Sequence, residues 1–118
     1  MKLRAAISAS PYDADYDMAL MYCFDSVQNY CFSLTRAPNS DEIEVMVVDQ
    51  VNHKTDDLTL QLHRNHLKAI INFALAKLLD GHEEYVIEFT ANEQEHENLQ
   101  RSLEKIFEGK KGLSICTF

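Results

Sequence analysis

The sequence contains no tryptophan, only three glycines and only two prolines. The glycines stand at positions 81, 109 and 112, so no glycine-rich loop is present to cradle a phosphate with backbone N–H groups. A Gly-x-Ser-x-Gly turn, which exposes the catalytic serine of many hydrolases, is also missing. We therefore expect neither phosphoryl transfer nor dinucleotide chemistry.

Cysteine is scarce as well. Cys23, Cys31 and Cys116 are odd in number and unevenly spaced, which fits neither a set of paired disulfides nor a Cys-x-x-Cys redox or zinc unit. The first ten residues lack the apolar segment of a signal peptide. The longest apolar stretch, Leu67 to Leu79, is interrupted by lysine and asparagine and is shorter than a membrane span. These features predict free thiols in a soluble, cytoplasmic protein.

Positive charge is in short supply. Nineteen acidic residues face eleven Lys and Arg, which leaves a net charge of −8 in 118 residues. This balance lacks the basic surface that a nucleic-acid or anionic-membrane partner requires. The segment between residues 13 and 57 alone sums to −8, because its only bases are Arg36 and Lys54.

Acidic residues in separate loops could form one patch that attracts a basic protein partner and accelerates the encounter. A generally acidic surface is the alternative, since residues that cluster in sequence need not cluster in space. The expected roles are electrostatic steering and charge-assisted hydrogen bonds to Lys or Arg. The candidate partner-binding residues are Asp41, Glu42, Glu44, Asp49, Asp56 and Asp57, followed by Asp13, Asp15 and Asp17.

Apolar and polar residues alternate through most of the first half of the chain, and this period of two predicts strands with one buried face. The predicted strands are Lys2 to Ser8, Met18 to Phe24, Tyr30 to Thr35, Ile43 to Val48 and Leu58 to His63. The continuous apolar run of the second strand is typical of burial on both faces. Turn-forming residues occupy Pro11 to Asp17, and a loop is predicted over Gln50 to Asp57.

The period then changes to about 3.6, which predicts a helix from Asn65 to Leu79 ended by Gly81. A strand follows over Tyr85 to Phe89. A second helix begins at a capping box, Thr90 to Glu93 or Asn92 to Glu95, and stops at Gly109. A short strand, Leu113 to Cys116, ends the pattern.

Consecutive strands followed by alternating helices and strands predict a single α+β domain over residues 1–118. It would have a mainly antiparallel sheet of about six or seven strands with both helices packed on one face.

The motifs that could carry catalysis are incomplete. Asp13, Asp15 and Asp17 begin like a calcium loop, but its sixth and twelfth positions hold Met18 and Phe24 instead of Gly and Glu. The five histidines lack the spacing of a zinc site and are expected to be surface or capping residues. Cys23 and Cys116 fall in predicted strands, where a thiol acts as a small hydrophobic side chain rather than an activated nucleophile. The sequence predicts no metal, no cofactor and no enzymatic activity. A pair of catalytic carboxylates is the one alternative left open, because so many acids allow many pairings.

Three segments follow one another along the chain: an aromatic-x-leucine strand ending near Arg36, a strand ending in Asp49-Gln50, and a leucine-alternating strand from Leu58 followed by a basic and polar turn. This succession resembles a bacterial immunity-protein family of polymorphic toxin systems. The resemblance extends to the helix from Leu99 to Phe107 and covers about residues 30–107. Where that family commonly has a glycine-rich segment after Asp-Gln, this chain has Val51 to Thr55.

The resemblance implies a non-catalytic cytosolic protein that binds and neutralises a cognate toxin domain. Many such toxins are basic nucleases, so an acidic partner agrees with the charge distribution. Two alternatives share the acidity: a secretion-system chaperone, which would bind an extended segment, and a DNA-mimic or anti-defence inhibitor. Oligomeric state is not indicated by the sequence.

Overall fold

The structure, a computed structural model, describes residues 1–48 and 51–116, which form ten strands and two helices. The strands are β1 Lys2–Arg4, β2 Ala6–Asp13, β3 Met18–Asp25, β4 Tyr30–Arg36, β5 Ile43–Val47, β6 Val51–Thr55, β7 Thr59–Leu62, β8 His66–Ile70, β9 Glu84–Glu88 and β10 Leu113–Ile115. The helices are α1 Phe73–Leu78 and α2 Glu93–Ile106.

The strands form two five-stranded sheets. The first sheet has the order β2-β3-β4-β5-β6, and every neighbouring pair is antiparallel and consecutive in the chain. The second sheet has the order β1-β9-β8-β7-β10, with parallel pairs only at its two edges. The α+β prediction is therefore confirmed, although the strands are more numerous than the six or seven expected and are divided between two sheets.

The helices differ in size and position. The longer helix, α2, packs against β2 and β3 of the first sheet, whereas α1 has only six residues and lies near β6. The two helices thus contact opposite edges of the first sheet. In the described part of the chain, neither helix is long and apolar enough to span a membrane.

The predicted first strand is two strands that belong to different sheets. β1 pairs with β9, the Ala5 N–H donates to the carbonyl of Glu88, and from Ala6 onward the chain pairs with β3. Periodicity does not mark this switch, because the alternation continues through it. The expected turn from Pro11 is also shorter, since β2 continues to Asp13. Proline is tolerated there because β2 is an edge strand.

The helix predicted from Asn65 is wrong in its first half. His66–Ile70 is a strand antiparallel to both β7 and β9, and Asn72 caps the short α1 that follows. Leu67, Ala69 and Ile71 are buried at a spacing of two, while Ile70 is exposed. The same apolar residues also match a 3.6 period, and pairing with two neighbours selected the strand.

Two further strands depart from the sequence prediction. β6 occupies part of the segment predicted as a loop, where its polar residues suit an exposed sheet edge. β3 is buried on one face only, because Tyr22 and Phe24 point to solvent while Met21 and Cys23 are buried.

Helix α2 begins with one of the two capping boxes that the sequence predicted. The Asn92 side chain accepts the Glu95 N–H at 2.8 Å and the Glu95 carboxylate accepts the Asn92 N–H at 3.0 Å, which completes a capping box. At the other end, Arg36 of β4 donates to the carbonyls of Ile106 and Glu108. A guanidinium in this position satisfies terminal carbonyls and opposes the negative end of the helix dipole.

The core lies between the inner faces of the two sheets and continues under α2. Phe32 of β4 packs on Tyr85 of β9, with ring centroids 4.8 Å apart. Leu103 and Ile106 of α2 are fully buried in the same cluster. Burial of this apolar surface is the main force holding the two sheets together.

Candidate functional site

The order of the first sheet brings most of the candidate acids to one end. In an antiparallel sheet of consecutive strands, alternate connections lie at the same end, so the β2–β3, β4–β5 and β6–β7 loops are neighbours. Strands are spaced by about 4.8 Å, so five strands separate the outer loops by roughly 20 Å. We call this the acidic end, and its acids are Asp13, Asp15, Asp17, Asp41, Glu42, Glu44, Asp56 and Asp57.

The β2–β3 hairpin forms one side of the acidic end. Asp13 Oδ1 accepts the backbone N–H groups of Asp15 and Tyr16 at 2.9 and 3.2 Å, which fixes the turn. The Tyr12 hydroxyl donates to Asp17 Oδ1 at 2.7 Å, and this hydrogen bond raises the pKa of Tyr12. Asp13 and Asp17 therefore shape the hairpin, whereas the exposed carboxylate of Asp15 is left to solvent.

The β4–β5 loop lies at the middle of the acidic end. Asp41 and Glu42 are exposed there. The Ser40 hydroxyl donates to the Glu42 carbonyl at 3.2 Å and accepts the Glu42 N–H at 3.1 Å, so the backbone is held without either carboxylate. Both carboxylates are therefore available to a partner.

The β6–β7 loop closes the other side. Both carboxylate oxygens of Asp57 accept from the Asn72 amide, at 3.0 and 2.9 Å, and Oδ1 also accepts from the Thr55 hydroxyl at 2.7 Å. Asp57 thus ties this loop to the cap of α1. Asp56 is exposed.

Basic residues partly offset these acids. Glu44 lies on the outer face of β5, directly across from Lys54 of β6. The guanidinium of Arg36 is hydrogen-bonded to carbonyls of Ser40 and of the α2 terminus. Eight carboxylates against two bases in the first sheet nevertheless leave its loops strongly negative.

The remaining acids of the segment have different positions. Asp25 lies at the opposite end, in the β3–β4 turn, and is buried. Its carboxylate accepts backbone N–H groups from Arg4, Val27 and Gln28 at 2.9 to 3.0 Å, and these bonds lower the pKa of Asp25 to about 2. Asp49, a candidate residue, lies outside the described residues.

The acidic end also carries two aromatic side chains that the charge pattern alone did not single out. Tyr12 is 57% exposed and Tyr16 is 68% exposed, both beside the aspartates of the hairpin. Large amphipathic side chains of this kind supply much of the binding energy at protein interfaces. The signal was present in the segment from Pro11 to Asp17, which places two tyrosines directly beside three aspartates.

The histidines occupy more structured places than predicted. The rings of His63 and His66 stack at 4.3 Å across the β7–β8 turn. His96 is buried on the inner face of α2, with Nε2 3.0 Å from the His63 carbonyl oxygen, so the prediction that every histidine is a surface or capping residue is wrong. No group of three metal-ligating side chains occurs within residues 1–48 and 51–116.

One polar cluster joins the two sheets, and its two tyrosines are buried. The hydroxyls of Tyr30 and Tyr85 lie 2.7 Å apart, and Tyr30 donates to Asp80 Oδ2 at 3.0 Å. His82 Nε2 lies 3.6 Å from the same carboxylate oxygen. Burial raises the pKa of both tyrosines, so their hydroxyls stay protonated and donate hydrogen bonds. We assign this cluster to inter-sheet packing.

The cysteines take packing roles. Cys23 is buried, and this burial raises the pKa of its thiol. Cys31 lies on the outer face of the first sheet, opposite Phe24, and is also buried. Cys23 and Cys116 are free thiols. A buried thiol with a raised pKa is a poor nucleophile.

No protein-family model matches the chain, and no curated protein or solved structure matches it either.

Proposed function

We propose that this protein is a non-catalytic immunity protein that binds a cognate toxin domain through the acidic end and thereby neutralises it. The observation that carries the proposal is the gathering of three separate acid-bearing loops at one end of the first sheet. The resemblance of residues 30–107 to an immunity-protein family points to the same function.

Charge complementarity supports a basic partner. Exposed carboxylates such as Asp15, Asp41 and Asp56 keep their acceptor oxygens available to Lys or Arg of another protein. A surface of one sign also raises the association rate of an oppositely charged protein by about ten- to a thousandfold at low salt. A toxin domain with a basic substrate-binding surface meets both conditions.

The exposed tyrosines supply the apolar contact that charges do not. Tyr16 projects from the hairpin beside Asp15, so one loop offers both an aromatic anchor and a carboxylate. Interfaces depend on a few such anchors, while charged residues at the rim chiefly govern rate and specificity.

Co-expression tests this function. The probe is the product of the gene immediately upstream, which we expect to encode the toxin. The wild-type chain should restore growth to cells that express this product, and the purified proteins should form a complex. Failure of the wild-type chain to bind or to protect would contradict the proposed function itself.

A matched pair of variants tests the surface. The acidic-end variant carries Asp15→Asn, Asp41→Asn and Asp56→Asn, and the control carries Glu83→Gln, Glu93→Gln and Glu104→Gln, which removes the same number of exposed charges elsewhere. We expect the acidic-end variant to lose association rate by at least about tenfold at low salt and the control to keep it.

Raising the salt concentration to physiological levels should remove most of the wild-type rate advantage, since exposed charges are then screened over about 8 Å. Equal losses in both variants, or a rate that does not depend on salt, would show that the acidic end does not steer the partner.

A further inference from the structure

The outer face of the second sheet carries an open groove of about 1030 Å³ at the end where β1 and β9 stop and β8 begins. Its rim is basic, although the whole chain has a net charge of −8. The cationic side chains are Lys2 and Arg4 of β1 and Arg64 of the β7–β8 turn, and the imidazole of His66 also lines the groove. This groove and the acidic end occupy different parts of the molecule.

One carboxylate within the groove is shared by two cations. Glu88 Oε1 lies 3.0 Å from Lys2 Nζ, and Oε2 lies 3.9 Å from a guanidinium nitrogen of Arg4. The hydrogen bond from Lys2 lowers the pKa of Glu88, so this carboxylate is charged at neutral pH. Arg64 forms no ion pair with any residue in the described part of the chain. The groove thus has positive charge that its own acid does not balance.

The size of the groove favours an extended peptide chain over a small ion as its ligand. Its volume far exceeds that of a water molecule or a simple anion and reaches the upper range of ligand pockets. A second hollow of about 300 Å³ adjoins it along Phe89, Thr90 and Ala91 and leads toward α2. Val86 and the alanines at positions 5 and 6 give the main groove an apolar floor.

We propose that this groove binds a short acidic segment of a partner protein. Carboxylates of the segment pair with Arg64 and compete with Glu88 for Arg4, while its main chain lies along the 89–91 segment. A few carboxylates are sufficient for the unbalanced charge, whereas a nucleic acid would bring a continuous row of phosphates to a strongly acidic protein. The charge of the rim therefore favours an acidic peptide.

Fluorescence anisotropy of the full chain tests the proposal. The probe is a short labelled peptide of alternating glutamate and serine, and its glutamine counterpart is the ligand control. Arg64→Glu should weaken binding of the acidic peptide by at least about tenfold, because it replaces a charge-assisted hydrogen bond with repulsion. Arg101→Glu is the matched control, since Arg101 is an exposed arginine on α2 and should leave binding unchanged.

Glu88→Gln should tighten binding of the same peptide severalfold, because it releases Lys2 and Arg4. This gain in affinity tests the proposal even where Arg64→Glu alters the β7–β8 turn, because Glu88 lies outside that turn. The acidic-end variant with Asp15→Asn, Asp41→Asn and Asp56→Asn should bind the peptide at least as well as wild type. This result separates the groove from the surface assigned to the toxin.

Three outcomes would overturn the proposal. Equal binding by wild type and Arg64→Glu would remove the groove as the site. Tighter binding of an oligothymidylate probe, lost in Arg64→Glu, would assign the groove to nucleic acid. Self-association that sedimentation detects in wild type and not in Arg64→Glu would assign it to a second copy of this chain.

Discussion

The two ends of the first sheet use the same residue type, aspartate, in opposite ways. At one end Asp25 is buried, and its carboxylate is surrounded by N–H donors from two parts of the chain. At the other end Asp15, Asp41 and Asp56 are exposed. A carboxylate whose acceptors are occupied holds the fold together, whereas one whose acceptors face solvent can bind another molecule. Sequence charge alone does not distinguish these roles.

The largest effect should come from removing the buried carboxylate. Asp25→Ala leaves the N–H groups of Arg4, Val27 and Gln28 without their acceptor, and it releases the turn from the strand switch at Ala5. We expect a clear fall in the urea midpoint, whereas Asp15→Ala should change the free energy of unfolding by at most about 0.5 kcal/mol. Equal midpoints for the two variants would abolish the distinction between the two ends.

A smaller, pH-dependent effect should separate the ends as well. The pKa of Asp25 in the folded chain is about 2, below its ordinary value of 3.8, so folding favours the charged carboxylate. Its stabilising contribution is complete above about pH 4 and is lost as the pH falls from about 4 to about 2.

Asp25→Asn should therefore flatten part of the stability loss in that window, measured as urea midpoints between pH 2 and about pH 5. Asp15→Asn is the control and should leave this part of the profile unchanged. A wild-type profile that Asp25→Asn does not alter would contradict the structural role of this carboxylate.

The smallest effect concerns partner affinity and needs no loss of stability. Tyr16→Ala, at the acidic end, should cost at least about 1 kcal/mol of binding free energy with the proposed toxin partner, because it removes an exposed aromatic side chain from the proposed interface. Val27→Ala, in the turn at the opposite end, removes a side chain that is 93% exposed and should leave affinity unchanged. Titration calorimetry with the upstream gene product compares the two. A greater loss for Val27→Ala would place the interface at the end of the first sheet opposite the acidic end and would contradict the proposed binding surface.

Local patterns predicted some elements well. Helix α2 was predictable because its start signal, Asn92 with Glu95, and its apolar stripe of Leu99, Leu103 and Ile106 agree with one another. The β3–β4 hairpin was predictable from a continuous apolar run and an alternating segment joined by a short polar turn. In both places the residues that define the element are close in sequence, so propensity, capping and period are sufficient.

Other elements depended on distant partners. The residues from His66 to Ile71 fit two periods, and they form a strand because β7 and β9 offer backbone hydrogen bonds on both sides. The edge strand β6 carries little apolar signal of its own and is held by β5. For the candidate site, the acids were predictable as a group. Their hydrogen-bonding roles and the groove around Arg64 were not.

The sequence by itself determined the α+β class, the excess of negative charge between residues 13 and 57, and the existence of the second helix, with two possible capping boxes at its start. Only the tertiary structure decided how the strands divide between two sheets and which loops share an end. The reason is physical: charge and local periodicity belong to neighbouring residues, whereas strand order is set by long-range backbone pairing and by burial of one common core.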